Sequence, residues 1–408
     1  MYSARQILPF LLVLLVTNCA TVDPVVTPVA ELVPCDDTAP VASAEPVTVP
    51  TVQPASAAAA EIDQLASPAA GLAPRADIWT RLRSDFRLPG ADRKIVSKAI
   101  DKYSRSPQHV EGMFRRADPY IAYILDEVQM RDYPTEIALL PFVESGFDPY
   151  AYSHGRAAGL WQFIPGTGKM FGLKQDWWYD ERRDIIASTE AAMNYLGKLQ
   201  QQFDGDWLLS LAAYNSGSGT VRNAIKRNRK AGKPVDFWHL KLPKETRDYV
   251  PRLLAIAAIV SRPDEYGITL PPLALEPAFA EVDTGGQLDI GVAADLAGVN
   301  TEILYGLNPG FNRWATHPDG PHRLLVPAAH AETFIGNLDA LPSDKRIKWV
   351  RHRIRKGETL SHIAGQYDTT VTILRNTNKL SGSKIRAGRH LLVPVAAREA
   401  SQYAALDR

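Results

Sequence analysis

Apolar residues between about positions 79 and 262 recur at helical spacing. Ile95, Ala99, Ile100 and Tyr103 fall on one face of a 3.6-residue repeat, as do Tyr120, Ile121, Ile124, Leu125 and Val128. Pro134-Thr135 marks a helix start, with Thr135 as its N-cap, and predicts a helix over 137–144. Further helices are predicted over 188–203, 207–214 and 249–260, the last strongly apolar. Strand-like alternation is scarce, so 76–262 reads as one all-α domain.

Beyond Ser261-Arg262-Pro263 the pattern changes. Residues 263–278 are rich in Pro and Leu and read as a connector. Two short segments follow, over 279–327 and 348–396, separated by a linker at 328–347. Setting Asn308 on Asn378 places Ile290 on Leu360, Ala294 on Ala364, Ala297 on Tyr367 and Leu304 on Leu374. Both segments end in Leu-Leu-Val-Pro (324–327 and 391–394), the second after a three-residue shift in register. They read as an internal repeat, each copy a βααβ unit. The fold class expected is therefore mainly α, with small βααβ modules at the C-terminal end and a tail at 397–408.

The N-terminal end has a different character. Arg5 precedes an apolar run over 7–16 that is too short to span a bilayer, as in an export signal over 1–19. Cys19 stands where a lipoprotein signal places its lipidated cysteine, although Asn18 departs from the small residue usual before it. Simple export with cleavage nearby, or a buried N-terminal helix, are the other readings. With Ala20 after Cys19, lipidation would imply an outer-membrane lipoprotein on the periplasmic face of the envelope. Residues 20–75 are dominated by Ala, Pro, Val and Thr and cannot bury enough surface to order themselves, so they read as a tether.

Composition narrows the function. Of 408 residues, 45% are hydrophobic, which fits a globular chain of more than one domain, and the net charge of +1 argues against a general nucleic-acid binder. The 2 cysteines, Cys19 and Cys35, make neither a disulfide framework nor a zinc site. No metal and no cofactor is expected.

The densest chemical signal lies over 136–172. The predicted helix 137–144 is apolar almost throughout and ends on Glu144. Partial desolvation raises the pKa of such a carboxyl toward what a general acid needs near neutral pH, although a glutamate at a helix end is often only a surface residue. Asp148, the next carboxylate, precedes Pro149 and reads as a turn residue. Aromatic faces suit pyranose rings, and Trp161, Trp177, Trp178, Tyr179 and Trp207 are candidates either for a sugar cleft or for the core.

Four motifs occur in order: Glu144-Ser145, Gly159-Leu160-Trp161-Gln162, Ala213-Tyr214-Asn215, and Glu245-Thr246-Arg247-Asp248-Tyr249-Val250. In these motifs the chain closely resembles the lytic murein transglycosylases with a goose-lysozyme-like domain, and within them the membrane-bound branch. The resemblance implies a lysozyme-like catalytic domain acting on peptidoglycan glycan strands, with Glu144 as catalytic acid/base. It also implies that Ser153 lies near that carboxyl, that Gln162 contacts the N-acetyl sugar, that Tyr214 and Asn215 line the cleft, and that Tyr249 orients the acid. Trp161 stands where many members have Met, a change expected to alter packing beside the sugar. The implied reaction cleaves the MurNAc–GlcNAc β-1,4 bond and leaves 1,6-anhydro ends. A hydrolytic muramidase on the same scaffold and a non-catalytic peptidoglycan-binding protein are the alternatives.

Residues 348–396 resemble a LysM module, with Gly357-Glu358-Thr359-Leu360 as its opening motif. The resemblance implies a glycan-binding groove at Gly357, Glu358, Thr359, Leu360 and the loop around Asn378. The segment 279–327 resembles a degenerate LysM, since Gly286-Gln287-Leu288-Asp289 departs from that opening. Between 344 and 394 there are 12 Lys/Arg against 3 Asp/Glu, a basic face suited to the acidic stem peptides of peptidoglycan. The expected partners are thus glycan strands and, through Cys19, a membrane, with no nucleic acid.

Overall fold

The computed structural model describes residues 77–395, so the readings on Cys19 and the tether lie outside the described residues. The first helices are α1 (Ile78–Arg83), α2 (Lys94–Ser104), α3 (Pro107–Ala117) and α4 (Ile121–Met130). A 3-10 turn at Thr135–Leu139 then runs into α5 (Leu140–Glu144). After α6 (Pro165–Met170) come α7 (Ile185–Gln202), α8 (Trp207–Ser216), α9 (Ser218–Lys230) and α10 (Lys244–Ser261). The mainly α class and the βααβ modules expected from the sequence are what the structure has.

One element differs in kind. The helix expected over 137–144 is divided, because Pro141 has no N–H to continue an α-helical ladder from the preceding turn. It sits instead in the first turn of α5, where that N–H is not needed. Thr135 is not the N-cap: its hydroxyl donates to the Leu82 carbonyl at 2.7 Å and anchors the segment to α1. The start of α7 is earlier than expected, because Asp184 caps it by accepting from the Ala187 amide at 2.8 Å.

α10 is the central element. Leu253, Leu254, Ile256, Ile259 and Val260 are buried in a core shared with Phe114, Phe142 and Phe147. The apolar stripe read from the sequence thus faces inward on nearly all sides, as a helix buried at the centre of a domain must.

Each C-terminal module pairs its first and last strands antiparallel. β1 (Phe279–Asp283) pairs with β2 (Arg323–Pro327), with Phe279 opposite Pro327. β3 (Lys348–Arg353) pairs with β4 (His390–Val395), with Arg353 opposite His390. Between the strands lie α11 (Ile290–Ala297) and α12 (Thr301–Leu307) in the first module. Residues 328–347, read as a linker, contain α13 (Ala331–Asp339), whose Phe334 and Leu338 enter the core of the first module. The second module carries α14 (Leu360–Gln366) and α15 (Val371–Thr377).

The repeat is repeated chemistry as well as repeated sequence. The Asn308 side chain donates to the Leu304 and Leu325 carbonyls and accepts from the Leu325 amide. Asn378 does the same with Leu374 and Leu392. Each asparagine ties the end of its second helix to the closing strand.

The first module is docked on the helical domain. The Tyr120 and Tyr150 hydroxyls donate to the Gly306 and Tyr305 carbonyls at 2.8 and 2.7 Å. The loop after α12, which holds the three-residue shift between the repeats, reaches the segment before α7. There Phe311 packs on Tyr179 and the Asp180 amide donates to the Gly310 carbonyl.

Candidate active site

Glu144 ends α5 and is half-buried. Burial drives its carboxyl up from an ordinary 4.5 to about 7, against the opposing pull of a hydrogen bond from Tyr249 and the positive charge of Arg252, with the Glu245 charge adding a further upward push. The Tyr249 hydroxyl donates to Glu144 Oε1 from the buried side of α10. One turn on, Arg252 donates to the Val143 carbonyl at 2.8 Å and fixes the end of α5 from the same helix. The carboxyl is thus held between desolvation, which favours its proton, and a phenol and a guanidinium, which favour its anion.

Two other segments reach the same place. The Tyr214 hydroxyl on α8 donates to the Trp161 carbonyl at 2.9 Å, and the Glu144 charge contributes to raising that phenol's pKa, after burial. Asn215 accepts from the Thr246 hydroxyl at 2.8 Å, which joins α8 to α10. Ser145 donates to the Leu160 carbonyl at 3.1 Å and ties the end of α5 to the loop that carries Gln162.

That loop is tightly specified. Gly159 has φ +78°, and a Cβ there would stand 2.2 Å from the Arg182 carbonyl oxygen, so conformation and space both demand glycine. The buried Arg182 donates to the Arg156 and Phe163 carbonyls at 2.6 and 3.2 Å while paired with Asp180 at 2.7 Å. Gln162 itself holds φ +48°, a left-handed conformation costly for a side chain with a Cβ and typical of positions a surrounding structure over-determines. Its amide nitrogen donates to the Ala151 and Gly159 carbonyls at 3.2 and 2.9 Å.

Glu144, Tyr214, Asn215, Gln162 and Tyr249 are therefore brought together through shared partners. The Ser153 hydroxyl accepts from the Ala157 amide at 3.1 Å and closes the tip of a hairpin. The hydrogen bond to the Glu144 carboxyl comes from Tyr249 on α10. Asp148 takes the Tyr150 amide at 2.9 Å in a turn, the role expected of it. The aromatic candidates divide. Trp161 is fully buried and donates to the Thr189 hydroxyl, so it packs in the core and not beside a sugar. Trp177 and Trp178 pack with Trp314 and Arg313 of the first module, Tyr179 with Phe311, and Trp207 with Tyr133.

Sequence reasoning gave no role to Ser145, Thr246 or Arg252. The available signal was spacing: Thr246, Tyr249 and Arg252 stand three apart on one side of α10.

In the second module the expected glycan-binding residues build the turn itself. Gly357 has φ +91°, and Thr359 caps α14 by accepting from the His362 amide. Leu360 is core. The Glu358 carboxylate accepts from the Arg355 amide at 2.7 Å and meets His352 Nε2 at 2.8 Å, and these partners outweigh the upward push of desolvation and hold it below its ordinary pKa. The first module closes the matching region with its own chain. The Ile290 amide donates to the Trp314 carbonyl, the Thr316 amide to Leu288, and the Leu288 amide to the Thr316 hydroxyl, at 2.8–2.9 Å.

Residues 124–237 match the family model described as Transglycosylase SLT domain, 278–343 the Lytic transglycosylase MltD, LysM-like domain, and 352–394 the LysM domain. Over 336 residues the chain is 38% identical to the membrane-bound lytic murein transglycosylase D of Escherichia coli (strain K12), across 79% of this chain and 74% of that protein. The chain belongs to the lytic murein transglycosylases. The transglycosylase is also 33% identical over 119 residues to the soluble lytic murein transglycosylase of Escherichia coli (strain K12), across 28% of this chain and 18% of that protein. Over 160 residues it is 30% identical to the peptidoglycan transglycosylase gp16 of Escherichia phage T7, across 39% and 11%. The match to the MltD LysM-like model takes in α13.

Proposed function

We propose that this transglycosylase cleaves the MurNAc–GlcNAc β-1,4 bond of peptidoglycan with Glu144 as its single acid/base. The observation that carries the reading is the carboxyl held near pKa 7 under a phenol donor. A group in that range carries a proton often enough to give it and loses it easily enough to take one back. Glu144 protonates the glycosidic oxygen as the C1–O bond breaks, and the substrate's N-acetyl carbonyl oxygen stabilises the charge at C1. The resulting carboxylate then takes the proton of the muramic 6-hydroxyl as its oxygen bonds to C1. The product is a 1,6-anhydro end, and no water is consumed. Gln162, Tyr214 and Asn215 bind the sugar, and Tyr249 and Arg252 position the acid.

The second module holds glycan in a groove at Gly357–Leu360, and the first module works as a fixed spacer. Its corresponding turn is already paired with residues 314–316. The protein acts at the periplasmic face of the envelope, anchored through Cys19. Among the described residues no helix is long and apolar enough to cross a membrane.

Mass spectrometry of digested sacculi is the test. Products one water lighter than muramidase products are expected, and products of hydrolytic mass would establish the muramidase reading instead. Labelling with a radioactive fatty acid should mark the wild type and not Cys19→Ser. Equal labelling of both would remove the anchor from the proposal.

A further inference from the structure

α9 is amphipathic in an unusual way. Val221, Ala224 and Asn228 face inward and are buried, with Ile225 packed beside them. Arg222, Lys226, Arg229, Lys230 and Lys233, the last just past the helix end, recur at spacings of three and four and are all exposed. They form one cationic stripe. The segment 218–235 contains no Asp or Glu. Among the described residues, none of these five cations has a carboxylate partner in an ion pair. Like charges four residues apart destabilise a helix, so the fold alone gives no reason for the stripe.

Its position gives one. α9 begins two residues beyond the end of α8, three beyond Asn215, and extends about 20 Å from there. Arg227 donates to the Lys241 carbonyl, and this links α9 to the segment that leads into α10, where exposed Lys241, Lys244 and Arg247 alternate with exposed Glu245 and Asp248. The cations of α9 therefore run outward from the site on the side where α8 and α10 meet. The glycan of the proposed substrate is uncharged. Its charge lies in the peptide stems, whose side-chain and terminal carboxylates project from alternate sugars.

We propose that the α9 stripe binds the carboxylates of peptide stems on the strand being cleaved, and so makes the enzyme selective for peptide-bearing over bare glycan. This rests on the peptidoglycan reading above. The contacts are electrostatic and exposed, so they act on capture of the strand and weaken with salt.

The test compares two soluble substrates: glycan strands with their stems, and the same strands stripped by an amidase. The full-length protein is used, as wild type and as the fourfold variant Arg222→Gln/Lys226→Gln/Arg229→Gln/Lys230→Gln. Wild type should prefer stemmed strands, and the preference should shrink as salt rises. The variant should lose about tenfold in kcat/KM on stemmed strands and stay at wild-type rate on bare ones. A version with Arg222→Lys and Arg229→Lys alone should keep the preference, which separates charge from shape. An equal loss on both substrates, or no loss on either, overturns the proposal while leaving the cleavage reaction intact. So does a variant that keeps the stem preference but loses binding to anionic phosphatidylglycerol vesicles, which would make the stripe a membrane contact. If wild type cleaves neither substrate, the functional reading itself fails.

Discussion

The Tyr249 hydroxyl of α10 donates to Oε1 of Glu144 at the end of α5, so two elements more than a hundred residues apart in sequence set the protonation of one carboxyl. The bond favours the anion and burial favours the acid, and burial prevails, with the result at about 7. The step that starts the reaction needs the proton present. Activity should therefore fall as pH rises through about 7. Tyr249→Phe removes a donor to the anion, which raises the pKa further and moves the alkaline limb of kcat/KM to higher pH. The maximum should drop as well, because the carboxyl loses its orientation. An alkaline limb that stays put or moves down would show that Tyr249 does not act on the Glu144 proton.

Glu144→Gln should be inactive and, at alkaline pH, more stable than wild type. A carboxyl whose folded-state pKa is raised binds more protons folded than unfolded between its two pKa values, here 4.5 and about 7. Its contribution to stability is therefore lost as pH rises through that window, and the loss persists above it. Removing the charge should recover on the order of 1–3 kcal/mol at about pH 8 and nothing below about pH 4, with solvent reaching the half-buried group trimming the upper figure. Cleavage should fall by at least about a hundredfold. Denaturant melts of both proteins across pH read the first effect, and binding of the variant to intact sacculi should be unchanged.

The buried Asp184 carboxylate joins the helical domain to the first module. Arg323 on β2 pairs with it at 2.7 Å, and the Tyr179 hydroxyl donates to the same oxygen at 2.6 Å. Arg323→Met leaves that carboxylate without its cation and should cost about 3 kcal/mol. The loss should appear as faster amide exchange over the docked loop 309–322 before any change in α10. Exchange that rises uniformly over the whole chain would mean that the pair stabilises the domain and not the junction.

How far the sequence exposes all this depends on the kind of signal. α10 and α4 are legible because a buried helix leaves a dense apolar record. Glu144 is legible because it ends such a record with a carboxyl. The division of 135–144 turns on one missing N–H at Pro141, a detail that periodicity averages away. The three aromatic residues at 177–179 could not be separated from a sugar cleft, since their partners Phe311, Arg313 and Trp314 lie more than a hundred residues later. Asn378 and Glu358 show a different limit. A motif marks positions a fold requires, and both side chains prove to be bonded within the module, to Leu392 and to His352.

That distinction leads to the behaviour of the two modules. If the second supplies the glycan groove and the first is closed by residues 314–316, binding should depend on the second alone. Gly357→Val places a β-branched residue at φ +91°, where glycine is required, and should distort the turn before α14 without touching the core. Retention of the full-length Glu144→Gln protein on purified sacculi should then fall at least tenfold with this second change, to the level of a chain ended before residue 348. Glu358→Gln should act otherwise. It weakens the bonds to His352 and the Arg355 amide, so it should lower the unfolding temperature of the module along with its affinity. Retention that survives Gly357→Val would mean that the turn at 287–290 opens and the first module binds glycan after all.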